Sequence, residues 1–271
     1  MNKYIQNYTI TNDCMDINYR LRPVEILMYF QDSFARYLTS KHIGAFDIVK
    51  DDLYWVISEI NVQIIDNLPF WSEEIEVSIW VSEITKLKIF TDFELKYKNK
   101  TFAKGNCCWF LLNGKTKRPV ISDIVSDKMA VLDELTVGPH KKFCLNNTTE
   151  AVTFASHKTN IRDIDFNNHV NNKSYINLAE MTIPNDFRVT HELKSLSVKY
   201  CKESYLGDEL TCTTYRTGVK NAYVNKIEKG GTLMCEINTE WKDVSNQPSI
   251  SDFPLEIRNT ISWRNFSDAW V

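Results

Sequence analysis

Residues 22–42 read RPVEILMYFQDSFARYLTSKH, from Arg22 to His42. Apolar side chains recur at Val24, Leu27, Met28, Phe34, Ala35 and Leu38, which is the period of a helix. Ile26, Tyr29, Phe30 and Tyr37 carry apolar surface around the remaining sides. A helix that is apolar nearly all round must be enclosed by other structure. Pro23 suits its first turn and Gly44 its exit.

Strand patterns follow. Ile60, Val62 and Ile64 alternate, as do Ile75, Val77, Ile79 and Val81. The run Leu87, Ile89, Thr91, Phe93, Leu95 and Tyr97 keeps period two, then turns at Lys98-Asn99-Lys100 into a fourth strand, Thr101 to Leu112. One buried helix followed by an antiparallel sheet is expected. The second half repeats the plan. A helical stretch from about Val170 to Ala179 is closed by Pro184. Alternating runs then centre on Leu196-Val198-Tyr200, Leu210-Cys212-Thr214, Tyr223 and Leu233-Cys235-Ile237-Thr239, with a hairpin signal at Lys229-Gly230-Gly231. The entry segments match as Asp16-x-Asn18-x-Arg20-Leu21 and Asp165-x-Asn167-x-His169-Val170, and the corners as Trp71-Ser72-Glu73 and Leu206-Gly207-Asp208. The pattern predicts an internal duplication of class α+β, each copy a helix enclosed by a curved antiparallel sheet, which is a double hotdog. The expected units are residues 1–135 and 145–271, joined by a linker from about Pro119 to Lys142 that contains Gly138-Pro139.

The bulk properties narrow the function classes. Hydrophobic content of 43% and charged content of 25% over 271 residues are those of a soluble globular protein. A formal net charge of -3 gives no support to general nucleic-acid binding. Met1 to Thr11 is polar, unlike a signal peptide, and no apolar run approaches the roughly 20 residues that span a bilayer. Seven cysteines, with Cys107-Cys108 adjacent and the rest scattered, suggest a reduced cytoplasmic setting rather than disulfides or zinc. No metal and no cofactor are expected.

Between Arg162 and Tyr175 the chain packs Asp163, Asp165, Asn167, Asn168, His169, Asn171 and Asn172 together. So many hydrogen-bonding groups make a poor core segment, because buried polar groups need partners. They make a good site around one imidazole, the side chain best suited to change protonation near neutral pH.

This segment resembles the catalytic segment of acyl-acyl carrier protein thioesterases, with a D-x-D-x-N-x-H-V-N-N-x-x-Y signature complete from Asp163 to Tyr175. Downstream, Tyr200-Cys201-Lys202-Glu203-Ser204 stands where that family has Tyr-x-x-Glu-Cys. The resemblance covers nearly the whole chain. It implies Asp165, Asn167, His169 and Glu203 as catalytic residues, and an acyl carrier protein as partner. Ser204 departs from the cysteine common in plant members, and a hydroxyl needs stronger activation than a thiol. Direct attack by water is therefore expected, with Ser204 supporting. Glu203, alone or with His169, is the candidate base. His169 alternatively orients the water or bonds the thioester carbonyl. Asn167 would position substrate or water, and Asp165 would fix His169 or Asn167, or act directly. Asn171 and Asn172 are expected to cap the helix, whose free N–H groups suit an oxyanion, and Asp163 to be structural.

The first copy carries Arg20 in place of His169 and lacks a Tyr-x-x-Glu element, so one site per chain is expected. Its apolar helix and the strand Tyr54 to Ile64 would form the acyl pocket. Lys141, Lys142, Lys194, Lys199 and Lys202 are candidates for contact with an acidic carrier, and Trp263, Phe266 and Trp270 for docking onto the body. An acyl-CoA thioesterase and a non-catalytic acyl-binding module are the alternative readings. The paired hotdogs also leave room for a homodimer.

Overall fold

The computed structural model describes residues 3–16, 20–121, 123–138 and 148–243. In the first half, β1 (Tyr4–Thr9) leads to α1 (Pro23–Ser40), the short α2 (Ala45–Ile48), β2 (Leu53–Ile64), β3 (Glu74–Ile84), β4 (Lys88–Tyr97) and β5 (Lys100–Asn113). A short α3 (Asp123–Ser126) precedes the second half: β6 (Thr148–Lys158), α4 (Asn172–Glu180), α5 (Asn185–Thr190), β7 (His191–Tyr200), β8 (Glu209–Thr217), β9 (Ala222–Lys229) and β10 (Thr232–Asp243).

All ten strands form one antiparallel sheet in the order β1-β3-β4-β5-β2-β7-β10-β9-β8-β6. Read outward from the centre, both sides have the same order, so each strand of one half has a counterpart in the other. The halves join where β2 pairs with β7, from Glu59 opposite Lys199 to Gln63 opposite Ser195. The fold is the double hotdog expected from the sequence.

The duplication extends to single hydrogen bonds. The Asp16 amide donates to the Arg20 carbonyl at 2.8 Å, as Asp165 does to His169 at 2.9 Å. Leu21 donates to Pro69 at 2.9 Å and Val170 to Ser204 at 2.8 Å. At the corners Phe70 donates to the Glu73 carboxylate and Tyr205 to the Asp208 carboxylate, both at 2.9 Å. Ser72 and Gly207 both take positive φ, 66° and 83°. Asn18 lies outside the described residues.

Helix α1 sits where its apolar sequence required. Phe30 stacks on Phe93 at 4.2 Å and Phe34 packs at a tilt against Trp109 at 4.4 Å, all four buried. Gly105 lies beneath Phe93: a Cβ there would run into the ring and into the Asn61 carbonyl. Enclosure is incomplete at the far end of α1, where Asp32, Ala35, Arg36 and Thr39 are exposed. Ala35, expected on the apolar face, is therefore at the surface.

Lys98 and Asn99 both adopt positive φ, 48° and 62°, the geometry of a tight hairpin turn between β4 and β5. The segment read as a linker is packed rather than free as far as Thr136. Its Leu132 amide donates to the Val81 carbonyl at 2.9 Å, Trp80 Nε1 donates to the Glu134 carbonyl at 2.7 Å, and the Thr136 amide to Asp92 at 2.7 Å. Pro139, Lys141, Lys142, Trp263, Phe266 and Trp270 lie outside the described residues, as does everything after Asp243. Among the described residues no helix is long and apolar enough to cross a membrane.

Candidate active site

The polar segment forms the loop that enters α4. Asp165 organises it: its Oδ1 accepts the backbone N–H of Asn167 at 2.9 Å and of His169 at 3.3 Å. Asn168 takes φ 62°, a left-handed conformation that asparagine tolerates. Asp163 braces the loop from behind. Its Oδ2 lies 2.7 Å from His157 Nε2 and accepts the Asn160 amide at 2.8 Å. Burial pushes the Asp163 carboxyl up, but the Asn160 amide and His157 outweigh it and hold the pKa below the ordinary value.

Asn171 is the N-cap of α4, its Oδ1 accepting the Lys173 amide at 2.9 Å. Asn172 is not a second cap, as its position had suggested, but the first helical residue. The amides near this helix start are largely engaged: Val170 donates to Ser204, Asn171 to Asp163 at 2.7 Å, and Ser174 to Asn171 at 2.9 Å. Tyr200 and Tyr175 pack edge to face at 5.9 Å, and the Tyr200 hydroxyl donates to the Asn172 carbonyl at 3.3 Å. Both signature tyrosines thus hold the helix entry.

Glu203 arrives from the segment after β7 and faces the imidazole, with Oε2 3.4 Å from His169 Nε2. Three further donors surround this carboxylate. The Tyr205 hydroxyl donates to Oε2 at 2.8 Å, the Tyr54 hydroxyl to Oε1 at 3.0 Å, and Lys117 Nζ lies 3.4 Å from Oε2. Burial raises the Glu203 pKa, yet the Tyr205 hydrogen bond, the nearby His169, Tyr54 and Lys117 together leave it lowered. A carboxylate so supplied with donors holds its charge and is a weak base.

His169 is flanked by rings, Tyr205 at 5.2 Å and Tyr54 at 6.2 Å. Among the described residues nothing bonds its Nδ1 or the side-chain amide of Asn167, so both are available to a substrate. Ser204 is fully buried next to Tyr175 and holds the loop through its carbonyl. It is poorly placed to be a nucleophile.

Tyr54, Lys117 and Tyr205 were not singled out from the sequence. Tyr205 is two residues from Glu203, but Tyr54 and Lys117 come from the other half of the chain. Phe166, 78% exposed within the site loop, stacks with Phe46 of the first half, 90% exposed, at 6.4 Å.

At the corresponding place in the first half, Arg20 lies 3.5 Å from Glu192 and over the Phe70 ring at 5.3 Å. Leu68 occupies the position of Glu203, by the matching bonds of Pro69 and Ser204. The first copy thus has neither the imidazole nor the carboxylate at these two positions.

The sequence matches the family model of the acyl-ACP thioesterase N-terminal domain over residues 1–131 and that of the C-terminal domain over residues 146–243. The chain belongs to the acyl-ACP thioesterase family. Within that family it is 25% identical over 213 residues to a dodecanoyl-acyl-carrier-protein hydrolase of Cinnamomum camphora, covering 72% of this chain and 54% of that protein. It is 26% identical over 193 residues to oleoyl-acyl carrier protein thioesterase 1 of Arabidopsis thaliana, covering 66% and 53%. The chain thus spans about half the length of these thioesterases. Both relatives are chloroplastic proteins. The 12:0-ACP thioesterase from Umbellularia californica shares the fold with a TM-score of 0.79 at 19% identity, covering 89% of this chain and 98% of that one. An acyl-ACP thioesterase from Bacteroides thetaiotaomicron does so at 0.76 and 21% identity, covering 88% and 97%. The thioesterase halves meet at the site, since Tyr54 and Lys117 belong to the part matched by the N-terminal model and His169 and Glu203 to the other.

Proposed function

We propose that the chain hydrolyses fatty acyl-acyl carrier protein to free fatty acid and carrier protein, by attack of water at Asp165, Asn167, His169 and Glu203. The observation that carries this reading is the His169–Glu203 pair at 3.4 Å, set in the loop that bears the family signature. With Nε2 turned toward the anionic Glu203, Nδ1 is left to take the proton of the attacking water. Glu203 orients the ring and stabilises the imidazolium that forms, a division of labour that suits a carboxylate with a lowered pKa. The Asn167 amide is the free donor for the developing oxyanion. Asp165 shapes the loop that carries both. Collapse of the tetrahedral intermediate breaks the carbon–sulfur bond, and the imidazolium returns its proton to the sulfur. Ser204 supports the loop and forms no covalent intermediate.

The first half is proposed to hold the acyl chain along α1 and β2, the strand whose Tyr54 borders the site. A small crevice between α1 and the second half, lined by Val24, Ile176, Ala179, Leu196, Ile237 and Trp241 among others, is the other candidate. Phe34→Ala should shift the preference toward longer chains; a shift with Ile183→Phe instead would put the chain in that crevice.

A reducing, cytoplasmic setting is supported by six free cysteines among the described residues. Pairing of β2 with β7 supplies within one chain the contact that a single hotdog unit obtains from a partner, so the chain is proposed to work without one; a homodimer would appear in the mass measured by light scattering. Release of free acid from a panel of acyl-carrier-protein chain lengths tests the main proposal. Equal or faster cleavage of acyl-CoA would favour the CoA reading, and binding without hydrolysis would leave an acyl-binding module.

A further inference from the structure

We propose that Tyr54 and Lys117, both from the first half of the chain, are positioning residues that complete the site of the second half by fixing Glu203 in front of His169. The inference rests on Glu203 and His169 being the reacting pair described above. Every group facing the Glu203 carboxylate among the described residues is a donor. Tyr205 belongs to its own segment and His169 to the adjacent loop. Tyr54 comes from the start of β2 and Lys117 from the turn after β5. Tyr54 donates to Oε1 at 3.0 Å and so holds the oxygen turned away from the imidazole. Lys117 Nζ lies 3.2 Å from the Tyr54 hydroxyl, 3.4 Å from Oε2 and 4.9 Å above the Tyr54 ring. The phenol is thereby held by the ammonium that also neutralises the carboxylate.

The backbone at Lys117 makes the same point independently. The residue adopts φ 56°, a left-handed conformation where glycine is at ease and a lysine is not. Asn113 builds this turn: its Oδ1 accepts the amides of Lys115 at 3.2 Å and Thr116 at 2.9 Å, and its carbonyl accepts that of Lys117 at 2.8 Å. None of these bonds uses the Lys117 side chain, whose reach to Tyr54 and Glu203 accounts for a lysine at this place.

The test is a set of double-variant cycles, with Tyr54→Phe and Lys117→Gly made alone and in a Glu203→Gln background. Expected are losses in kcat of about tenfold with KM nearly unchanged, falling below about twofold once Glu203 is gone, because residues acting through a common partner are not additive. Lys117→Arg should recover most of the loss, and Lys117→Gly should melt no lower than the parent. A second readout is independent of turnover: the Glu203 carboxyl, followed by carbon NMR, should titrate at higher pH in both single variants. Equal losses in the two backgrounds, with an unmoved Glu203 titration, would overturn the inference. A shifted titration in a parent protein that cleaves no thioester would instead refute the catalytic reading and leave the Tyr54–Lys117–Glu203 linkage standing.

Discussion

At the residue scale, the proposed mechanism separates groups that would react from groups that shape the loop. His169→Ala removes the proposed base and should lower turnover by about 10²-fold or more, the range for loss of acid–base catalysis. Ser204→Ala should keep most of the activity, because the serine that holds the loop does so through its backbone carbonyl. A fall as deep as that of His169→Ala in a steady-state assay would restore a nucleophilic serine. Glu203 also links the site to pH. Its folded pKa is lowered, so its ionised form contributes stability that is present above the unfolded value and lost as pH falls through the folded one. The melting temperature of Glu203→Gln should therefore lie below the parent's at neutral pH, with the gap closing only below the ordinary glutamate range. A gap that widened on acidification would contradict the lowered pKa. Asp165, Asn167 and His169 stand out in the sequence as part of a segment rich in hydrogen-bonding groups, whereas Glu203 is singled out only by the resemblance of Tyr200–Ser204 to the family's Tyr-x-x-Glu element. Tyr54 and Lys117 do not stand out, because a tyrosine opening an alternating strand and a lysine in a turn look ordinary until folding brings them across the molecule to Glu203.

At the element scale, the two central helices are tied together by an ion pair whose acidic partner is buried. Glu25 in α1 has a side chain only 4% exposed, and Lys173 in α4 reaches its two oxygens at 2.7 and 2.9 Å. Breaking a fully buried pair typically costs about 3–5 kcal/mol, but Lys173 is 31% exposed and Arg22 Nη2 also lies 3.5 Å from Glu25, so the cost here is smaller. Lys173→Met is expected to destabilise the protein by less than about 3 kcal/mol, and adding Glu25→Leu to recover most of it, since apolar replacement of both partners is often neutral. Denaturant unfolding of the three variants checks this; no recovery in the double variant would mean that packing rather than charge is lost. The long helix and the strands β2–β5 and β7–β10 could be read from periodicity because one face of each meets the core. The edge strands β1 and β6 were missed for the same physical reason. No residue of either is fully buried, so neither shows a sustained apolar alternation. The linker segment shows no periodicity because its anchors are scattered: isolated buried side chains at Val125 and Met129, and hydrogen bonds made largely by backbone groups.

At the scale of the whole molecule, the halves are bound into one body by contacts that include the β2–β7 ladder, the Glu25–Lys173 and Arg20–Glu192 pairs, the Phe46–Phe166 stack, and the donors that β2 and the turn after β5 lend to Glu203. The two copies of one plan differ at the candidate site, with Arg20 and Leu68 standing in the first copy where His169 and Glu203 stand in the second. Such a body should unfold as one unit although its length would allow two domains. Gly105→Ala provides the test, because the added methyl meets the Asn61 carbonyl and the Phe93 ring in the first half. Overpacking of this kind is expected to cost about 1–3 kcal/mol. The melting midpoint should then drop equally for a probe on the exposed Cys201 of the second half and for the overall circular dichroism signal. Two separated transitions, with the Cys201 probe unmoved, would show that each half holds its fold without the other.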